Sequence, residues 1–360
     1  MLFRIIRIAA VLLGAVLLSE GCVQQLDPAP TPEAISFSAG STLLRDDATK
    51  GANPKEADCD VGNFLVFGTK TISDTPYSVF GGIRVNHTSN TWSYSPVRYW
   101  DSNAGRYDFL GISGPQSVSG ITSTISPISA TLTYNVTDTQ YDLMAACDSR
   151  VSNAGVLDVS SPVQMDFKHL LSAVSVVVHN DSPQQHVALV SYGFRNLYIQ
   201  QNVKISYHLP NPTIEWLDAG KVKDTSNPLL TWTANGEEGR ELDSANTHAP
   251  TGTGADNLNW DMMIPQTLNP GSSAPLLMVK YCLVDYSDDP EPVRTVSNPI
   301  ETPIRLSSIK NSSGNEILEW EAGKKYTYEI HIRYGGGINV TVTTTDWDPI
   351  SAGTPGLIIS

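Results

Sequence analysis

The sequence is poor in cysteine: Cys22, Cys59, Cys147 and Cys282 are its four thiols in 360 residues, and no CxxC pair occurs. Beyond Cys22, three cysteines allow at most one internal disulfide, which excludes a small fold held together by a framework of bridges. The fold must therefore rest on a hydrophobic core. Cys147 and Cys282 lie in apolar runs, so we expect both to be buried as small hydrophobic side chains.

Motifs of common enzymes are also lacking, since the sequence contains no HExxH, no GxSxG and no Walker-type phosphate loop. The histidines are scattered, and none pairs with another at the spacing of metal ligands: His87, His169, His179, His186, His208, His248 and His331. Residues 285–291 offer acidic oxygen ligands for Ca²⁺ but lack the glycine and spacing of an EF-hand loop, so we expect a solvated hairpin tip. We expect no enzymatic activity, no cofactor and no metal site. A hydrolase built from clustered carboxylates is the enzyme class that stays open.

Positive charge is scarce, because 23 Lys and Arg residues face 37 Asp and Glu residues, a net charge of −14. Removal of residues 1–21 takes away Arg4, Arg7 and Glu20, which leaves 21 − 36 = −15. A surface this acidic repels phosphate backbones and anionic headgroups. We therefore expect no nucleic-acid partner.

Long apolar runs are missing apart from Ile8–Leu18, which follows Arg4 and Arg7 and ends shortly before Cys22. This run is too short to span a bilayer, which needs roughly 20 apolar residues, but it has the length of a signal-peptide core. The residues Leu-Leu-Ser-Glu-Gly-Cys that end at Cys22 resemble the lipobox of bacterial lipoproteins. We predict a signal peptide over residues 1–21, lipidation of Cys22, and a Pro-rich tether over residues 22–34. An ordinary secretory signal with an incidental cysteine is the alternative.

The remainder of the chain reads as short β-strands that alternate between apolar and polar residues and are separated by turn-forming clusters at roughly ten-residue spacing. The clearest pair is Tyr326–Ile332 and Ile338–Val342, joined through three glycines, which predicts a hairpin. A turn-rich joint near Ser160–Pro162 predicts two β-domains, over residues 35–160 and 161–349. Residues 350–360 form a tail.

An ordered series of segments resembles the fimbrillin family, the type V pilins of Bacteroidales and their major-fimbria-like lipoproteins. It begins with the lipobox cysteine, and the further segments follow in the same order along most of the chain. They are Ile35–Ser38 (ISFS), Ala48–Ala52 (ATKGA), Asn63–Gly68 (NFLVFG), Thr91–Trp100 (TWSYSPVRYW), Tyr107–Pro115 (YDFLGISGP), Phe167–His169 (FKH), Trp320–Ile332 (WEAGKKYTYEIHI) and Thr344–Pro349 (TTDWDP). Their order and spacing carry the resemblance more than any single segment does.

The resemblance implies two tandem transthyretin-like β-sandwich domains and a surface lipoprotein anchored in the outer membrane that assembles into a fimbria, or pilus, and supports adhesion. It also implies assembly by strand exchange with other fimbrial subunits, after an Arg/Lys-specific protease removes the first strand together with the lipid. On this chain, Ile35, Phe37 and Ala39 would occupy the groove first. Lys50, or in second place Arg45, would be the cleavage site. The alternative is that residues 35–40 form a permanent edge strand and that Lys50 is an ordinary solvated lysine.

Two further alternatives stay open at the level of sequence. The tail over residues 350–360 is short and contains Gly353, Pro355 and Gly356, so a tip, minor or anchor subunit competes with a stalk subunit. A surface glycan-binding lipoprotein is the rival function. It would need exposed rings among the clustered aromatics, which are Trp92, Tyr94, Tyr99, Trp100 and Tyr107. Their alternation on strands instead predicts that these rings are buried in the core of the first domain.

Overall fold

The computed structural model describes residues 32–39, 62–88, 91–113, 120–136, 142–182, 185–224, 229–234, 239–242, 247–248, 260–269, 271–287 and 293–347. The predicted signal peptide, most of the predicted tether and the C-terminal tail lie outside these ranges. Within them, no helix is long and apolar enough to cross a membrane.

Strands dominate the described residues, and the prediction of a mostly β protein is confirmed. The first thirteen are β1 Phe37–Ala39, β2 Asn63–Ile72, β3 Thr75–Thr88, β4 Thr91–Tyr94, β5 Arg106–Ser113, β6 Thr122–Ile125, β7 Ile128–Asn135, β8 Met144–Val151, β9 Val163–Met165, β10 Lys168–His169, β11 Ser172–Asn180, β12 His186–Arg195 and β13 Tyr198–Ser206. The others are β14 Thr213–Lys223, β15 Leu229–Thr233, β16 Arg240–Leu242, β17 Thr247–His248, β18 Asp261–Met263, β19 Gln266–Thr267, β20 Leu276–Ser287, β21 Val293–Val296, β22 Ile300–Arg305, β23 Lys310–Asn311, β24 Glu319–Trp320, β25 Lys324–Ile332 and β26 Ile338–Asp346. Short 3₁₀ turns lie at Leu306–Ser308 and Tyr334–Gly336.

These strands form several sheets. Sheet A has the order β10-β8-β5-β2-β3-β4, and sheet B has the order β14-β13-β7-β6. Sheet C has the order β17-β11-β25-β26-β23, with β18 also on β11, and sheet D has the order β15-β12-β20-β21, with β16 on β12 and β22 on β20. The strands β1 and β9 form a small separate ladder, and so do β19 and β24.

Both faces of sheet A are covered by other parts of the protein. Consecutive side chains of a strand point to opposite sides, so a single strand of this sheet contributes to two apolar clusters. In β2, Phe64 and Val66 join the apolar cluster that contains β1 and β9. Phe67, from the opposite face, joins the larger cluster that continues through sheets B, C and D. The strand β2 therefore reads as a nearly continuous apolar run rather than as a strict alternation.

Glycines occupy one turn and one β-bulge of the fold. The hairpin of β25 and β26 is confirmed, with Ile332 opposite Ile338, and its turn places Gly335 and Gly336 at φ of 75° and 82°. The register of β2 and β3 shifts between Val66 and Phe67, opposite Gly82 at φ of 86°. Such positive φ values are open to glycine without steric cost, so glycine suits both sites.

Strands from both sides of residue 160 share one sheet. In sheet B, β7 pairs with β13 from Asn135 opposite Gln200 to Ser129 opposite Ser206. The division at residue 160 therefore stays a prediction about chain organisation, and the hydrogen bonding of sheet B crosses it.

Candidate functional site

The first strand is buried against sheet A. Ile35, Phe37 and Ala39 are 1%, 5% and 8% exposed, whereas Ser36 between them faces solvent. This is the period-two pattern of a strand with one apolar face. The three residues predicted to occupy a groove therefore share one inward face.

The backbone of this segment is hydrogen-bonded along both edges. On one edge, β1 pairs in parallel with β9, with Phe37 opposite Val163, and the Val163 N–H donates to the Ser36 carbonyl over 2.8 Å. On the other edge, residues 33–35 run antiparallel to residues 98–100. There the Ile35 N–H donates to the Arg98 carbonyl, and the Trp100 N–H donates to the Glu33 carbonyl, both over 2.9 Å. We call the space bounded by residues 98–100, by β9 and by the facing side of sheet A the β1 groove.

The floor of the β1 groove is aromatic. The Phe37 ring lies 5.5–5.8 Å, between ring centroids, from four other rings in edge-to-face geometry: Phe64, Phe80, Tyr94 and Phe109. Aromatic pairs at this spacing contribute about 0.5–1.5 kcal/mol each beyond the burial of their area. Phe37 is therefore the anchor of β1 in the groove.

A tyrosine at the edge of the groove binds the backbone of the segment directly. The Tyr94 hydroxyl donates to the Ile35 carbonyl over 2.7 Å, and the Arg98 N–H donates to the same hydroxyl over 3.2 Å. Burial raises the pKa of Tyr94, so the phenol keeps its proton and remains a donor. A side chain of the groove thus recognises the main chain of its occupant, which carries no sequence preference.

The wall at residues 98–100 is held by a turn that follows it. Asp101 accepts from the Lys70 ammonium over 2.5 Å, and its backbone N–H donates to the Tyr107 hydroxyl over 2.7 Å. The hydrogen bond with Lys70 lowers the pKa of Asp101, and the same bond raises the pKa of Lys70. This ion pair links β2 to the turn and so fixes the wall of the groove.

Replacing Lys70 by methionine is expected to lower the free energy of unfolding at pH 7 by about 1 kcal/mol or less, because solvent screens a partly exposed pair. The folded pKa of Asp101 lies below its unfolded value, so its contribution is present above about pH 4 and is lost as the pH falls through the folded pKa. Urea unfolding from pH 3 to pH 7 measures this effect. The free energies of unfolding of the wild-type protein and of Lys70→Met should become similar at the acid end of this range. Lys310→Met, at an exposed lysine elsewhere, is the matched control, and a pH-independent difference would contradict this role of the pair.

A sequence profile described as fimbrillin-like matches residues 55–347. The chain belongs to the fimbrillin-like family. The resemblance predicted from the segments is thereby confirmed, and the family is one of fimbrial proteins of the cell surface.

Solved structures of fimbrial proteins align with most of this fimbrillin-like protein. A fimbrial protein from Bacteroides vulgatus has a TM-score of 0.58 at 17% identity, with 88% of this chain and 99% of that chain covered. The fimbrilin of Porphyromonas gingivalis has a TM-score of 0.39 at 10% identity, with 88% and 98% covered. The C-terminally truncated tip fimbrial protein Mfa3 of P. gingivalis has a TM-score of 0.40 at 10% identity, with 88% and 100% covered. A search of curated proteins found no match. At these identities the first likeness supports the fold alone.

Other predicted sites of the fimbrillin-like protein have different outcomes. Cys22, Arg45 and Lys50 lie outside the described residues, so lipidation and processing stay predictions. Cys282 is buried as expected, whereas Cys147 is partly exposed. Burial raises the pKa of Cys147 to about 12, which makes its thiol a poor nucleophile at neutral pH.

The clustered aromatics of the fimbrillin-like protein divide between core and surface. Trp100 and Tyr107 are 9% and 0% exposed, as predicted for core residues, and Trp92 and Tyr94 are half-buried against the groove. Burial was the wrong prediction for Tyr99, which is 53% exposed because it points to the side opposite the buried Trp100 that follows it. The cluster therefore lies mostly on the groove side of sheet A and in the adjoining wall.

Sequence reasoning did not identify the walls and floor of the groove as one site. The alternation of Val163, Met165 and Phe167 was a visible signal for β9, but its partner lies more than a hundred residues earlier in the chain. Among the residues that the structure describes, no group of three or more His, Cys, Asp and Glu side chains is placed to hold a metal ion.

Proposed function

We propose that this protein is a fimbrial subunit that is exported as a lipoprotein on Cys22 and assembles by strand exchange in the β1 groove. Membership of the fimbrillin-like family supports the fimbrial role. The observation that carries the exchange is the placement of residues 33–39, which pair with residues 98–100 on one edge and with β9 on the other and turn one apolar face inward.

The groove favours an occupant of defined direction and pattern. A replacement strand must run parallel to β9 and antiparallel to residues 98–100 to reuse the same backbone donors and acceptors. It must also present apolar side chains at alternate positions, with a bulky aromatic or aliphatic group where Phe37 lies. Backbone pairing would provide general affinity, and the aromatic floor would provide selectivity.

Processing after β1 would convert this internal strand into a replaceable one. While the chain is intact, covalent linkage keeps β1 at a high effective concentration next to its own groove. A cut at Lys50, or at Arg45, would leave β1 held only by its side chains and hydrogen bonds, and a partner strand would then compete for the groove. The lipid on Cys22 would leave with β1.

Replacing Lys50 and Arg45 together by alanine is expected to abolish processing and the ladder of polymers on gels of unboiled cells. Mass spectrometry of the mature N-terminus measures the first effect. The wild-type chain should begin after one of these two residues, whereas the double variant should begin at acylated Cys22. Lys310→Ala is the matched control and should be processed normally. A wild-type chain that keeps its acylated Cys22 in assembled fimbriae would contradict the proposal.

The rival function, binding of surface glycans, needs a platform of exposed ring faces. Of the five clustered aromatics, Trp100 and Tyr107 are buried and Tyr99 is more than half exposed. One exposed ring provides a weaker platform than several, so the geometry favours assembly over glycan recognition as the use of this cluster.

A further inference from the structure

A short stretch of chain connects the β1 groove to the end of the last strand. We call residues 163–169, which comprise β9 and β10, the linking segment. It spans at most about 20 Å when extended, at roughly 3.3 Å per residue. One end touches β1, and the other end touches Trp347, which directly follows β26.

At the groove end, the linking segment depends on β1. Among the strands that the structure describes, β9 forms its ladder with β1, with Met165 opposite Ala39. Phe167, which is fully buried, lies 5.3 Å from Phe64 between ring centroids and so completes the aromatic floor of the groove. Removal of β1 would leave the backbone of β9 without this ladder and would uncover Met165.

At the other end, the linking segment holds Trp347. The His169 ring stacks on the Trp347 ring with centroids 3.9 Å apart and planes inclined by 10°. The Nδ1 atom of His169 also contacts the carboxylate of Asp142, and both side chains are almost fully buried. Trp347 is also held through its backbone, because its N–H donates to the Gly323 carbonyl over 2.9 Å.

At its Trp347 end the segment is tied to sheet A by a short pairing, and near its groove end the Gln164 N–H donates to the Asp148 carboxylate over 3.0 Å. The strand β10 pairs with β8 over two residues, with His169 opposite Met144, and the next N–H, of Leu170, donates to the Leu143 carbonyl over 2.8 Å. A two-residue ladder resists displacement less than a long one does. A shift of β9 would therefore also displace His169, since only a few residues of chain connect the two.

We propose that the linking segment couples the occupancy of the β1 groove to the position of Trp347 and its packing on His169. When β1 occupies the groove, β9 and Phe167 are fixed, and His169 lies in position to stack on Trp347. When the groove is empty, the segment relaxes, and the end of β26 loses its stacking partner. A role of this coupling in assembly rests on the proposed strand exchange. The order of the end of β26 would then depend on whether a strand occupies the groove.

Hydrogen exchange of the full-length chain tests the coupling without requiring any exchange of strands. Phe37→Ala removes the anchor of β1 from the groove while the chain stays intact. We expect it to accelerate exchange at the amides of 167–170 and of Trp347 by at least about fivefold, the lower end of typical coupling between sites. Ile205→Ala, at a fully buried residue of sheet B, controls for general loss of stability and should not reproduce this pattern. Phe37→Leu is the milder variant if Phe37→Ala does not fold.

The coupling must also act in reverse, because the coupling of two sites is reciprocal. Trp347→Ala is expected to accelerate exchange at the amides of Ile35 and Val163 by a similar factor. Changes that stay within β1, β9 and residues 98–100 in the Phe37 variants, with the Trp347 amide at its wild-type rate, would overturn the proposal. Gels without a polymer ladder, combined with coupled exchange rates, would instead reject strand exchange and leave the coupling standing.

Discussion

Replacing Phe37 by alanine is expected to lower the free energy of unfolding by about 3–5 kcal/mol, the range for truncating a buried aromatic side chain that leaves a cavity. Phe37 is 5% exposed and touches Phe64, Phe80, Tyr94 and Phe109 edge to face. The surrounding rings belong to four paired strands of sheet A, β2 to β5, so they are poorly placed to collapse into the space. Urea unfolding of the full-length chain, followed by tryptophan fluorescence, measures the loss.

The matched control for this variant is Tyr99→Ala. Tyr99 lies on the wall of the same groove, but its side chain is 53% exposed, and removal of an exposed side chain changes stability by about 0.5 kcal/mol or less. A loss of under about 1 kcal/mol in Phe37→Ala, or equal losses in both variants, would show that β1 is only a loosely attached edge segment.

Removal of the whole first strand is expected to have the second large effect. A chain that begins at Gly51 lacks Ile35, Phe37 and Ala39, and burial of an Ile or Phe side chain contributes about 1.5–3 kcal/mol each. The hydrogen bonds of the segment to residues 98–100 and to β9 would add about 1 kcal/mol each. We expect a total loss of about 5 kcal/mol or more, together with concentration-dependent association, because the open groove exposes strand edges.

Size-exclusion chromatography and urea unfolding of the chain that begins at Gly51 measure both effects. A chain that begins at Ala34 and so retains β1 is the control, and it should remain monomeric with nearly full stability. If both truncated chains are equally stable and monomeric, β1 is dispensable, and the β1 groove has no need of an occupant.

The local features of the fold were predictable from the sequence. Alternation in Ile35, Phe37 and Ala39 defines the inward face of β1 whatever it packs against. Three glycines between two alternating segments specify the hairpin of β25 and β26, because its strands are adjacent in sequence. In both cases the information lies within a window of about twenty residues.

The pairing of distant strands was not predictable in the same way. Nothing in Val163–Met165 specifies a parallel ladder with Phe37–Ala39, since any strand offers the same backbone donors and acceptors. The joining of β7 to β13 across the predicted domain boundary has the same cause. Such pairings are decided by the total packing of the core, which brings together residues far apart in the chain.

The contact of His169 with Trp347 illustrates the same limit. Both residues lie in segments that resemble the fimbrillin family, FKH and TTDWDP, but sequence spacing does not predict that their rings stack. The burial of Asp142 beside His169 was equally invisible, because burial raises the pKa of a carboxyl group only once the fold has removed its water.

The most direct measurement of the central claim uses a folded chain cut between Gly40 and Gly51 at an engineered site for a specific protease. A labelled peptide with the sequence of residues 33–40 is added, and its binding is followed by fluorescence anisotropy. The proposed function predicts that one peptide per chain displaces the native β1, and that a peptide with alanine in place of Phe37 binds about 100-fold more weakly or worse. A cut chain that takes up neither peptide, or that binds both equally, would contradict a replaceable strand in the β1 groove.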